Sequence, residues 1–234
     1  MTLFEQVITD NPAFGVFISI FAYALALKIK RRFKSPLMQP LIIAALLIVG
    51  FLLIFDIPYE TYKLGGDAIH FILGPLTVAL GISLYRQRMV IRDNFISLVI
   101  GITFGVCLNF FVVFFMSTAF GLSEQMIRSL LPKSITTPMA LLLSDMLNGT
   151  QSVTVIIVSL AGIIGALMAP LVVRWFPWLN HIAVGIGIGT SSHALGTSKA
   201  IEMGEREGAL SSTAIGLAGL ISVLLVPLLY RLIA

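Results

Sequence analysis

Apolar residues in this chain come in runs too long for a soluble core. Measured against the about 17 to 25 residues that cross a bilayer, they predict spans near 12 to 28, 37 to 55, 68 to 85, 95 to 116, 124 to 148, 153 to 173, 181 to 200 and 209 to 230. The expected fold is an all-α polytopic integral membrane protein of about eight transmembrane segments. It forms a single membrane domain over 1–234, with residues 1–64 as peripheral scaffold helices and 67–234 as the core that carries a substrate site.

Two stretches break the pattern. Leu131-Pro-Lys-Ser-Ile-Thr-Thr-Pro138 and Gly189-Thr-Ser-Ser-His-Ala-Leu-Gly-Thr-Ser198 are rich in Gly, Pro and hydroxyls inside otherwise apolar segments. Such backbone is tolerated at membrane depth only where protein or a watery cavity satisfies it. Pro132 and Pro138 bracket residues whose hydroxyls bond locally to the backbone, so the fifth span reads as two short helices around an unwound centre. The second helix starts near Pro138, with Thr136 or Thr137 as N-cap. In the seventh span Gly185, Gly187, Gly189 and Gly196 each lower helix propensity by about 1 kcal/mol relative to Ala, and a second break is expected there. Gly74-Pro75 predicts a kink early in the third span. Residues 95 to 148 and 153 to 200 each read as a long span followed by a broken one, which suggests transporter-like repeats, although helix parity leaves their relative direction open.

Composition agrees: 58% of residues are hydrophobic and 11% charged. Lys28, Lys30, Arg31, Arg32, Lys34, Arg86, Arg88, Arg92, Lys199 and Arg206 fall on one side of this topology, with Lys63, Arg174 and Arg231 on the other. The positive-inside rule makes the first side cytoplasmic and puts both termini outside. The net charge of +4 then needs no nucleic-acid partner. The Arg86/Arg88/Arg92 run reads as topology signal and anionic-lipid contact. Glu5 and Asp10 precede the first apolar run where a cleavable leader would be basic, so that run is expected to be retained. Cys107 is the one cysteine, which leaves no intramolecular disulfide or cysteine-based metal site. No cofactor is expected.

Opposed half-helices meeting at the midplane favour an anion, because unsatisfied N–H groups and the positive helix ends attract negative charge. The candidate substrate-binding residues are Lys133, Ser134, Thr136, Thr137, Gly189, Thr190, Ser191, Ser192, His193, Gly196 and Thr197. His193, with an unperturbed pKa of about 6.5, is the proton-coupling candidate. Each has a plainer reading: Lys133 as an interfacial or ion-paired residue, His193 as packing, the hydroxyls as interhelical glue. Asp145 either pairs with Lys133 or ends a half-helix near the cytoplasm. Asn109 reads as an ordinary interhelical hydrogen-bonding residue.

Gly74-Pro-Leu-Thr-Val-Ala-Leu80 running on to Leu84-Tyr-Arg-Gln-Arg88, the 131–140 motif, and Gly189 to Thr197 with Glu202, Glu207 and Gly208 together resemble the LrgB/CidB family over essentially the whole length. The resemblance implies a bacterial cytoplasmic-membrane protein described as antiholin-like, a modulator of murein hydrolase activity and cell lysis. It also implies a smaller LrgA/CidA-type membrane partner. Relatives such as the plastid glycolate/glycerate translocator imply carriage of small carboxylates of the glycolate, glycerate or pyruvate type. In the family the paired threonines and the histidine recur, so the resemblance transfers to Thr136, Thr137 and His193 better than to Lys133 or Ser134.

Three function classes compete. The first is a secondary transporter of small monocarboxylates working by alternating access, proton-linked through His193. The second is a holin-like or antiholin-like assembly acting through homo-oligomers, hetero-oligomers or a pore, with Gly101-Ile-Thr-Phe-Gly105 as a packing face. An intramembrane hydrolase is the third and is not expected: on a continuous helix Ser191 and His193 point about 200° apart, and there is no His-Glu-x-x-His motif.

Overall fold

The computed structural model describes residues 11–33 and 40–233. Glu5, Asp10 and Lys34, used above for leader and orientation, lie outside the described residues. The fold is all-helical, and the chain divides into two compact units, one ending at Leu76 and one running from Thr77 to Ala234.

In the first unit, α1 (Pro12–Phe33), α2 (Pro40–Ile54) and α3 (Tyr59–Phe71) pack together. Gly15 of α1 lies directly on Gly65 of α3, and Ser19 Oγ meets Tyr62 Oη at 2.9 Å. Ala22, Ala26 and Ala44 are buried where α1 and α2 pack together. α4 (Leu73–Arg86) follows α3 after Ile72. The third expected span is thus two helices, and Pro75 stands in the first turn of the second, where its missing N–H costs no hydrogen bond.

The second unit continues through α5 (Arg88–Asp93), α6 (Phe95–Ala119), α7 (Glu124–Leu130), α8 (Thr137–Met146), α9 (Gln151–Trp175), α10 (His181–Met203) and α11 (Glu205–Ile233). α6, α9 and α11, with 25, 25 and 29 residues, are each long and apolar enough to cross a membrane, as is α1 of the first unit. On α6, Leu98, Ile102, Val106, Phe110 and Val113 form a buried stripe against the rest of the core. Outward residues such as Ile100, Phe104, Ile156, Ile164, Leu224 and Leu228 stay exposed, the pattern of a lipid-facing surface.

α10 is not a rod. His193 has φ 40° and ψ −139° and divides it into arms of residues 181–192 and 193–203. A Cβ on Gly196 would lie 3.1 Å from Ile188 Cγ2, whereas eight residues of continuous helix rise about 12 Å. Ala200 of the second arm packs with Val184 and Ile188 of the first. The arms are antiparallel, a re-entrant hairpin that enters and leaves at one end of the unit.

Neighbouring contacts fix the directions. Gly101 meets Ile186 and Gly105 meets Thr190, while Gly185 meets Leu210 and Gly189 meets Ala214. The first arm, α6 and α11 therefore run parallel. α9 runs the other way, since Gly162 lies under His193, Gly165 under Ser192, and Ala169 beside Val184 and Ile188. The end where α6, α10 and α11 begin and α9 stops carries Arg92, Arg174 and Arg206; it is the basic end, and the other is the distal end.

α7 and α8 form a second hairpin, entering from the distal end. Arg128 Nε donates to Tyr230 Oη at 3.1 Å near the end of α11. Met139 packs on Gly219, eleven residues and about 16 Å nearer the basic end. The chain then returns, because Thr154 Oγ1 lies 2.9 Å from the Ser129 carbonyl and 2.8 Å from Ser144 Oγ, and Thr150 N–H donates to Ser129 Oγ at 2.7 Å. Asn148, φ 57°, turns the chain into α9.

Both breaks predicted from the sequence exist, near 131–136 and at His193. The expected fifth and seventh crossings, however, turn back at mid-depth. Apolar run length registers how much chain is buried in lipid and not whether it comes out on the far side. Arg174 accordingly lies at the same end as Arg92 and Arg206. Asp145, exposed, follows its hairpin back to the distal end. Residues 95–148 and 151–203 are each a long helix followed by a re-entrant hairpin, and the two run in opposite directions. The suspected repeat is an inverted one.

Candidate functional site

The two hairpin tips lie next to each other against α6. At the first tip, Ser134 Oγ donates to Asn109 Oδ1 at 3.1 Å, Asn109 Nδ2 reaches the Leu131 carbonyl at 3.4 Å, and Lys133 Nζ donates to Ser134 Oγ at 3.2 Å. At the second, Thr190 packs on Gly105, with a Cβ-to-Cβ approach of 3.6 Å if the glycine carried one. Gly105 and Asn109 share a face of α6 one turn apart, about 6 Å along the axis.

Each hairpin's second arm starts at its tip, so the amino ends of α8 and of residues 193–203 both face the middle of the unit from opposite sides. The first four N–H groups of a helix have no intrahelical acceptor. Thr136 takes the N-cap backbone conformation of α8, φ −62° and ψ 145°, but its hydroxyl makes no capping bond. Its Oγ1 is buried without a partner, and so is Oγ1 of Thr190, a residue only 7% exposed. A buried hydroxyl left unpaired costs about 1 to 3 kcal/mol. Each hairpin thus carries one unpaired hydroxyl, beside the residues where its second arm begins.

The other candidates divide by what they touch. Ser191 and Ser192 hydroxyls are 2.9 Å apart, and Ser192 fits over Gly165. His193 is buried, with Nε2 2.8 Å from the Val158 carbonyl; a carbonyl only accepts, so this nitrogen carries hydrogen. Thr197 Oγ1 meets Ser211 Oγ at 2.6 Å, and Gly189 closes on Ala214, so both residues fasten the second hairpin to α11. Gly196 lets the two arms of that hairpin meet. Thr137 opens α8 half-buried. Among the described residues no carboxylate pairs with Lys133.

Asn109 makes the interhelical hydrogen bonds the sequence reading gives it, and through them it ties the first tip to α6. Two points of the sequence reading change. The Gly101/Gly105 face is occupied within the chain by Ile186 and Thr190 and is not left for oligomer contacts. The angular argument separating Ser191 from His193 assumed a continuous helix, which ends there; in the structure they are separated by their partners, Ser192 and Val158.

Comparison with known proteins identifies the family. Residues 19–232 match the model of the LrgB-like family. The chain is 37% identical to the holin-like protein CidB of Staphylococcus aureus, over 93% of this chain and 95% of that one. It is 36% identical to the uncharacterized protein YxaC of Bacillus subtilis, over 91% and 93% respectively, and 34% identical to the holin-like protein CidB of Staphylococcus epidermidis, over 93% and 95%. No solved structure gives a significant match. The chain belongs to the LrgB-like family and is a multi-pass bacterial membrane protein.

Proposed function

We propose that this LrgB-like chain is a holin-like membrane protein that governs the permeability of the bacterial cytoplasmic membrane, and through it murein hydrolase activity and lysis. The likeness to holin-like CidB over nearly the full length of both chains supports this reading. A smaller LrgA/CidA-type membrane protein is the proposed partner, alongside membrane lipids and further copies of the chain. The basic end faces the cytoplasm, since Arg92, Arg174 and Arg206 share it; the C-terminus then faces out, and the N-terminus is proposed to do the same.

A second reading has its own observation in its favour: the unpartnered Thr136 and Thr190 hydroxyls, one on each of two inverted hairpins. This reading is selective carriage of small monocarboxylates of the glycolate, glycerate or pyruvate type by alternating access. A helix end contributes about 0.3 to 1 kcal/mol at an exposed site and up to about 2 when partly buried, too little alone to replace a carboxylate's hydration. Two ends, two orphaned hydroxyls and the ammonium of Lys133 act together, and His193 is the proposed proton-coupling residue. Neither reading needs a covalent step, and the chain is proposed not to be an enzyme.

Purified protein in liposomes separates the readings. Unselective release of a trapped dye supports a pore-forming holin-like action. Saturable exchange of labelled pyruvate or glycolate, without dye release, supports selective carriage as the way permeability is governed.

A further inference from the structure

At the basic end, a cavity of about 470 Å³ opens among the starts of α6, α10 and α11, lined by Asn94, Asn180, His181 and Arg206 together with the apolar Val90 and Leu210. α6 and α11 are long enough to cross a membrane, so the place where they begin lies at the membrane surface. Arg206 and His181 are the ionisable groups of the lining, and no carboxylate belongs to it. The nearby acidic groups are engaged elsewhere: Glu207 Oε1 lies 2.5 Å from His181 Nδ1, and Glu202 accepts from Lys199 Nζ at 2.7 Å.

A second cavity, about 540 Å³, shares Asn180 and Ile182 with the first and follows α6 and the first arm of α10 past Ile96, Ile100, Ile186 and Gly187. Its floor is closed where Gly101 meets Ile186, and it stands open at Gly187, where an added Cβ would meet nothing within 4 Å. Ile96 and Ile100 are 72% and 65% exposed, which puts the groove on a lipid-facing side of α6. From Asn180 to Gly187 the arm rises about 10 Å into the membrane. A polar, cationic pocket at the surface thus continues into an apolar groove that descends from it.

That order of chemistry is the order of a phospholipid. The guanidinium of Arg206 presents paired N–H donors that match phosphate oxygens. Asn180 Oδ1 caps α10 by accepting from the Ala183 N–H at 2.8 Å, which leaves its NH2 group to donate. With no carboxylate in the lining to hold an ammonium, the pocket favours a headgroup of net negative charge over a zwitterionic one. We propose that the two cavities form one site for an anionic phospholipid of the leaflet at the basic end, its phosphate held by Arg206 and Asn180 and one acyl chain laid in the groove between α6 and α10. The site does not depend on either functional reading.

Native mass spectrometry of the full chain released from detergent, titrated with phosphatidylglycerol, phosphatidylethanolamine or glycerol 3-phosphate, tests it. The first phosphatidylglycerol should bind tighter than phosphatidylethanolamine by about threefold to tenfold, the scale of one charge-assisted contact at a partly exposed site. Glycerol 3-phosphate should not displace it. Arg206→Gln should remove the preference, whereas Arg231→Gln, which takes a charge from the distal end, should keep it. Gly187→Leu fills the groove from a position with room for a side chain and should weaken both lipids alike. Arg206 and Gly187 are exposed, so both variants should melt as the wild type does. Equal binding of the two lipids, or a preference that survives Arg206→Gln, would overturn the site. Unchanged lipid binding by Gly187→Leu overturns the groove, and displacement by glycerol 3-phosphate overturns the lipid in favour of a soluble anion.

Discussion

His193 Nε2 lies 2.8 Å from the backbone carbonyl of Val158, and this bond anchors the turning point of the second hairpin to α9. The same residue has φ 40°, a left-handed conformation costing about 1 to 3 kcal/mol for a side chain other than glycine. His193→Gly is expected to relieve that strain and lose the bond, leaving thermal stability within about 1 kcal/mol of wild type. His193→Val, β-branched in a left-handed conformation, should be destabilised by more than about 2 kcal/mol. Thermal unfolding in detergent measures both. On the coupling question, His193→Gln should flatten the pH dependence of carboxylate uptake; an unaltered profile would make the residue purely structural.

The hydroxyls of Thr136 and Thr190 give stability and function opposite signs. Replacing either with Val removes a buried unpaired group, so each variant should gain about 1 kcal/mol of stability. Carboxylate uptake should fall by tenfold or more, since about 1.4 kcal/mol of lost binding is a factor of ten. A stabilised variant with wild-type uptake would remove that threonine from the site.

Topology is testable without any assay of activity. With Cys107→Ser, a cysteine at Trp178 should react with an impermeant maleimide from the same side as cysteines at Asp93 and Glu205. Cysteines at Leu122 and Asn148 should react only from the other side. If the fifth and seventh segments crossed the membrane, Trp178 would instead label with Leu122.

Thr154→Val breaks the cluster that clamps the first hairpin and strands the Ser129 carbonyl and the Ser144 hydroxyl. A loss of about 1 to 3 kcal/mol is expected, read as a lower melting temperature.

Gly165→Ala would press a methyl group into Ser192, an overpacking worth about 1 to 3 kcal/mol. A Cβ at Gly187 meets nothing within 4 Å, so Gly187→Ala should change stability by less than about 0.5 kcal/mol. Comparing the two melting temperatures checks that α9 lies against the hairpin where the contacts put it.

What the sequence determined by itself was the all-helical membrane class, the interruptions near Pro132 to Pro138 and at Gly189 to Thr197, and the family. Those properties are local: apolar run length, proline geometry and clusters of hydroxyls act within a few residues. Tertiary structure alone decided that each interruption is a reversal, that the repeats run in opposite directions, and that Gly105 and Asn109 bring Thr190 and Ser134 within a turn of one another. A broken span and a re-entrant hairpin have the same hydrophobic profile, since both bury the same residues. The choice between them is made by contacts such as Gly196 with Ile188 and Thr154 with Ser129, where close approach of distant segments, and not local propensity, determines the path of the chain.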